Sequence, residues 1–177
     1  MRVYLVCLGL VAGCTSGPLE VPLDPSQPLE VQQGLYDVAI DVIADSCAPP
    51  LPSGSQHPDV IGIGREIATD NGLTVPLVGI FGVTRVPLVA SKGYAWDQAL
   101  TTGCGAIGRI SARLVAARTD HVEVRVIDEP AADPACAGQT AWTEPCRAER
   151  TLRYDLLHAC PDPLHVVYGA DAQVDCW

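Results

Sequence analysis

Lysine and phenylalanine each occur once among the 177 residues, at Lys92 and Phe81, and aromatic residues make up only 5% of the chain. One lysine leaves almost no material for Schiff-base or Ser-Lys chemistry. Cations are scarce altogether, since 11 Lys and Arg stand against 21 Asp and Glu for a net charge of −10. An acidic surface with no basic cluster speaks against nucleic acid or anionic headgroups as partners. No Gly-x-Ser-x-Gly elbow, Gly-x-x-x-x-Gly-Lys loop or Cys-x-x-Cys pair is present, so the commonest signatures of serine hydrolysis, phosphate cradling and zinc binding are missing. No apolar run approaches the roughly 20 residues that span a bilayer as a helix. A long amphipathic helical pattern is lacking too.

What is there begins at the N-terminus. Arg2 supplies a cation, Val3 to Val11 an uncharged and mostly apolar run, and Ala12-Gly13 a small pair before Cys14, which is the order of an export signal. A short apolar run of this kind also fits a buried strand of a cytosolic protein. Leu10-Val11-Ala12-Gly13-Cys14 resembles the lipobox of bacterial lipoproteins, which implies cleavage after Gly13 and lipidation at Cys14 with acyl chains such as palmitate. On that reading residues 1–13 are a signal peptide.

Eight cysteines occur, and setting aside Cys7 and Cys14 leaves Cys47, Cys104, Cys136, Cys146, Cys160 and Cys176. An even set in an exported chain implies disulfides, although sequence does not separate the possible connectivities. The pairing expected is Cys47 with Cys104, Cys136 with Cys146, which share a Pro/Gly/Ala-rich segment that reads as one long loop, and Cys160 with Cys176. Zinc is the rival use, with His158 and Cys160 the only close Cys/His neighbours.

Residues 14–33 hold Pro18, Pro22, Pro25 and Pro28, and Pro-Leu-Glu-Val occurs twice, at 18–21 and 28–31. This reads as an acylated cysteine followed by a proline-rich tether, able to reach roughly 60 Å at about 3.1 Å per residue. From Gly34 the period becomes two: Tyr36, Val38, Ile40 and Val42 alternate with Asp37, Ala39 and Asp41. Val122, Val124 and Val126 alternate likewise, as do Leu152, Tyr154 and Leu156. Asn71-Gly72 lies between two apolar runs and suits a tight hairpin turn. Pro76 and Pro87 place their segments at an edge or bulge. The expectation over 34–177 is a single all-β domain, an antiparallel β-sandwich or small β-barrel carrying disulfides.

One segment competes with that fold. Gly103-Cys104-Gly105-Ala106-Ile107-Gly108 fits Gly-x-Gly-x-x-Gly, and Asp128 falls 20 residues after Gly108, where a Rossmann-type fold would place a ribose-binding acid. Gly103, Gly105, Gly108 and Asp128 are therefore a weak cofactor-binding alternative. The residues before the glycines lack the apolar continuity of a buried parallel strand. Arg109 to Leu114 also reads as period two, with Ile110, Ala112 and Leu114 on one face. Other sites are thinner: His57, His121, His158 and His165 are scattered, and Asp37, Asp41 and Asp45 fit a solvated strand face better than a calcium site. Trp96, Trp142 and Trp177 suit core packing or a ligand wall. No catalytic residue, metal ligand or cofactor is assigned.

Beside the lipobox, the opening strand from Gly34, Asp45-Ser-Cys47 and the closing Arg153 to Cys160 give the chain a loose pattern. It resembles the small lipoproteins of Gram-negative bacteria that combine a lipobox signal peptide with a cysteine-containing β-rich domain. Thr15 and Ser16 follow the cysteine where an aspartate would mark inner-membrane retention, so the resemblance implies the outer membrane, facing either side. It implies no activity. The expectation is a non-enzymatic envelope module that binds a small ligand or an envelope protein; an envelope hydrolase with an unrecognised site and a dinucleotide-dependent oxidoreductase are the alternatives.

Overall fold

A computed structural model describes residues 23–48, 50, 60–66, 71–79, 82–131, 134–136 and 144–160. Eight strands account for most of them: β1 (Gly34–Asp45), β2 (Val60–Glu66), β3 (Gly72–Gly79), β4 (Gly82–Val89), β5 (Ala95–Thr102), β6 (Gly105–Arg118), β7 (His121–Pro130) and β8 (Ala148–Ala159). All pairings are antiparallel, in the order β4-β3-β2-β1-β8-β7-β6-β5. The chain is all-β, as its alternation predicts. Among the described residues no helix is long and apolar enough to cross a membrane.

The alternation decides what each strand buries. In β7 every second residue is buried, so Val122, Val124 and Val126 enter the core while Glu123, Arg125 and Ile127 face outward. Leu152 and Tyr154 of β8 and Ile110, Ala112 and Leu114 of β6 do the same. β2 turns the corner: its first half, Val60 to Ile63, is in register with β1, and its second half, Gly64 to Glu66, with β3. That switch lays β3 and β4 over the other strands, and Leu73, Val75, Leu77, Val86 and Leu88 join β6, β7 and β8 in one core. Each such side chain contributes about 1.5–3 kcal/mol by leaving water. The Tyr154 hydroxyl donates to the carbonyl of Pro76 at 2.7 Å in the middle of this core, tying β8 to β3.

The barrel alternative does not hold. β4 and β5 are the two ends of the strand order and are not bonded to each other. They meet only at a corner, where a 3-10 turn over Ala90–Lys92 leads into Gly93 and Tyr94, both with positive φ. A left-handed tyrosine costs about 1–2 kcal/mol. Its burial and the hydrogen bond its hydroxyl accepts from Asn71 Nδ2 at 2.7 Å hold it there.

Three sequence expectations change. Gly72 belongs to β3, in register with Glu66 and Val89, so Asn71-Gly72 is not a two-residue hairpin turn. Gly72 is needed because a Cβ there would meet the Leu88 carbonyl oxygen at 2.7 Å, and Asn71 instead clips the N-terminal segment, its Oδ1 accepting from Leu29 N at 3.0 Å and its Nδ2 donating to Gln27 O at 2.6 Å. The segment expected to be a tether is packed against the domain from Leu29 onward: Leu29 and Val31 are buried in the core, and Gln32 N donates to Thr119 O at 2.9 Å. Proline content marked residues 23–33 as extended chain, but Gln27 N donates to Asp24 O at 3.1 Å across a turn, and beyond it Leu29 and Val31, two places apart, both enter the core. Third, Pro87 does lie on edge strand β4, whereas Pro76 is buried in β3, two residues beyond Thr74, the last β3 residue in register with β2.

The disulfides pair by topology and not by nearness along the chain. Cys47 bonds Cys146 and Cys104 bonds Cys136, which corrects the expected Cys47–Cys104 and Cys136–Cys146 pairs. Asp45 and Ala148 are the last register partners of β1 and β8, so Cys47 and Cys146 face each other just beyond them. Cys104 sits in the β5–β6 turn, and Cys136 lies on the 3-10 turn Pro134–Cys136 that follows β7, the neighbour of β6. Cys160 is also disulfide-bonded, while Cys176 is outside the described residues.

Candidate binding groove

The same alternation that fills the core lays a polar sheet on the other side. Arg153 contacts Asp41 at 2.8 Å, Arg125 contacts Glu149 at 3.3 Å, Arg147 reaches Glu129 and Glu149 at 3.4 and 3.5 Å, and Arg109 binds Asp97 at 2.7 Å. Hydrogen bonds from Arg109 and Ser111 hold the Asp97 carboxyl below the usual carboxylate range. Solvent reaches all these pairs, so each is worth about 0–1 kcal/mol. Their effect is to fix side chains in place across β5, β6, β7 and β8.

A groove of about 590 Å³ crosses this face. Asp97, Ser111, Arg113, Val115, Arg125, Ile127 and Glu149 form its floor, and Leu23 with the Gly93–Trp96 corner closes one end. That volume suits a small organic ligand. Arg113 and Arg125 are register partners on β6 and β7, which places two like charges side by side. Asp97 is engaged by Arg109, and Glu149 is shared between Arg125 and Arg147. The Glu149 contact meets the Arg125 Nε within ion-pair range without hydrogen-bond geometry, so this buried N–H has no acceptor. The exposed Arg113 guanidinium has no acidic contact among the described residues.

The inner face carries one charge pair of its own. Asp128 and Arg150 form an ion pair with side-chain exposures of 0% and 3%, near the Cys47–Cys146 bond. Burial pushes the Asp128 carboxyl above its ordinary value despite the guanidinium beside it. Asp128 Oδ1 and Arg150 Nε have no hydrogen-bond partner. This is where the glycine motif ends: Gly103 to Gly108 turn a β5–β6 hairpin and enter β6, not a helix, and Asp128 faces the core. The dinucleotide alternative is therefore removed for Gly103, Gly105, Gly108 and Asp128. Gly105 and Gly108 have φ of 137° and 155°, and a Cβ on Gly108 would meet the Glu129 carbonyl at 3.0 Å, so the glycines serve the hairpin.

The remaining sequence candidates disperse. His121 lies between two carboxylates, Nδ1 at 2.5 Å from Asp155 and Nε2 at 3.1 Å from Glu123. Partial burial disfavours its charge, but the hydrogen bonds with Asp155 and Glu123 outweigh that and raise its pKa. With both ring nitrogens engaged, this imidazole has none left to take a proton from a nucleophile. His158 is exposed at the end of β8. Asp41 pairs with Arg153, Asp45 accepts from Cys47 N at 2.8 Å, and Asp37 lies opposite Asp155, so the three acids have separate surroundings. Among the described residues no three His, Cys, Asp or Glu side chains gather as metal ligands would. Trp96 packs partly against the core and borders the groove. Cys14, His57, His165, Trp142 and Trp177 lie outside the described residues.

The groove was not foreseen. Sequence showed that Glu123 and Arg125 face outward, but alternation does not say which residue of the next strand stands beside each. No family model, curated protein or solved structure matches the chain.

Proposed function

We propose that the protein is a lipid-anchored, non-enzymatic binding module of the outer membrane, holding a small ligand in the groove over β5 to β8. The observation that carries the binding half is the groove itself, a recess of about 590 Å³ whose polar floor is fixed by ion pairs. Lipid attachment rests on the sequence Leu10 to Cys14, and outer-membrane placement on Thr15 and Ser16. Residues between Cys14 and Leu23 then span the distance from the membrane to the folded domain. The occupied nitrogens of His121 count against hydrolysis.

Two experiments test the halves separately. Intact mass of the protein isolated from its own membrane should show cleavage after Gly13 and a diacylglyceryl-modified Cys14; an unmodified Met1 removes the anchor. Native mass spectrometry after exposure to envelope extract should show a bound small molecule that Ser111→Trp, which fills the groove, displaces. A ligand retained by Ser111→Trp removes the groove.

A further inference from the structure

We infer that the groove selects an organic carboxylate with an apolar body, the carboxylate bridging Arg113 and Arg125 and the body lying along Val115 toward Leu23. The inference rests on the binding-module reading and adds the chemical class of the ligand.

Two arginines on the groove floor are arranged unfavourably as they stand. Arg113 and Arg125 are directly opposed on adjacent strands, and like charges in that position repel. Three other arginines of the same face have acids to meet: Arg153 has Asp41, Arg109 has Asp97 and Arg147 has Glu129 and Glu149. The acids within the groove are committed, Asp97 to Arg109 and Glu149 to Arg125 and Arg147. Among the described residues Arg113 is left without an acidic contact, and the buried Arg125 N–H without an acceptor.

What completes it must fit both guanidinium groups. A carboxylate can accept hydrogen bonds from two guanidinium groups at once, through planar forks that match its two oxygens. The rest of the floor specifies the body. Val115, at the β6 bulge two residues beyond Arg113, lines the groove on the side where Leu23 closes it, while Ile127, opposite Ser111, lies on the other side of the arginine row. A neutral lipid-like molecule would leave the arginine pair unanswered. A bare anion would leave Val115 and Leu23 wet.

The test uses the full chain carrying Cys14→Ser, so that no detergent is needed, with octanoate, 1-octanol and inorganic phosphate as probes in isothermal calorimetry. Octanoate should bind at least tenfold more tightly than octanol or phosphate, and Arg113→Gln should weaken octanoate at least tenfold. Because Arg113 is exposed, has no acidic contact among the described residues and faces Arg125, that variant should melt no lower than the parent. Octanol matching octanoate, phosphate matching octanoate, no octanoate binding, or undiminished binding by Arg113→Gln would each overturn the inference. If octanoate fails while Ser111→Trp still displaces a molecule taken from envelope extract, the ligand class is wrong and the binding module stands.

Discussion

The two faces of the sheet made by β6, β7 and β8 use the same chemistry to opposite ends. On the inner face Arg150 meets Asp128 with almost no solvent access, and on the outer face Arg153 meets Asp41 with side-chain exposures of 43% and 54%. Both are arginine–carboxylate pairs on a strand surface, yet burial separates their consequences. Outside, water screens each pair and would solvate either partner left alone. Inside, neither group can be left alone, because nothing else can solvate it. The comparison teaches that the core face is committed to stability, while the outer face can be altered freely and is therefore available for binding.

Breaking the buried pair gives the largest expected effect. Asp128→Ala should cost about 3–5 kcal/mol in urea unfolding, because it strands the Arg150 charge in the core. Replacing both, with Asp128→Leu and Arg150→Met, should recover most of that loss; a double variant as unstable as the single one would show that the pair contributes more than mutual neutralisation. Next come the cross-links. Removing the Cys47–Cys146 bond, whose ends are 99 residues apart, should cost about 2–4 kcal/mol, and roughly 1 kcal/mol more than removing Cys104–Cys136, whose ends are 32 apart. Equal losses would show that native-state geometry outweighs loop length. Tyr154→Phe should cost about 1–2 kcal/mol by leaving the Pro76 carbonyl without its donor.

The outer face should respond far less. Arg153→Ala should change stability by under about 1 kcal/mol, and a loss comparable with Asp128→Ala would erase the distinction between the faces. His121 sharpens the point through pH. Its pKa is raised in the folded protein, so its contribution is full below the imidazole range and is lost as pH rises through the raised value. The slope should be shallow, under about 1 kcal/mol in all, since Asp155 is 63% exposed, and it should vanish in His121→Gln.

The division between the faces was partly legible in the chain. Val122, Val124, Val126, Leu152 and Tyr154 announced their burial through period two, because a strand with one wet side must alternate. Ile110, Ala112 and Leu114 did so too, in competition with the glycine motif beside them. Register was not legible. Nothing local to Arg113 points to Arg125, nor anything local to Cys47 to Cys146, since strand pairing joins residues far apart and only the assembled sheet reveals which ones meet. Asn71 misled for a related reason: its turn propensity is real, but its side chain has more to gain by capping Gln27 and Leu29 than a two-residue turn would offer.

Thermal unfolding of the parent and of Arg113→Gln, each with and without octanoate in large excess, tests the separation of stability from binding in a single comparison. A ligand that binds only the folded state adds about 2.7 kcal/mol at one hundred times its dissociation constant, enough for a clear rise in Tm. The account predicts that unliganded Arg113→Gln melts no lower than the parent and that octanoate raises the melting temperature of the parent alone. A lower melting temperature for unliganded Arg113→Gln, or the same rise in both proteins, would contradict it.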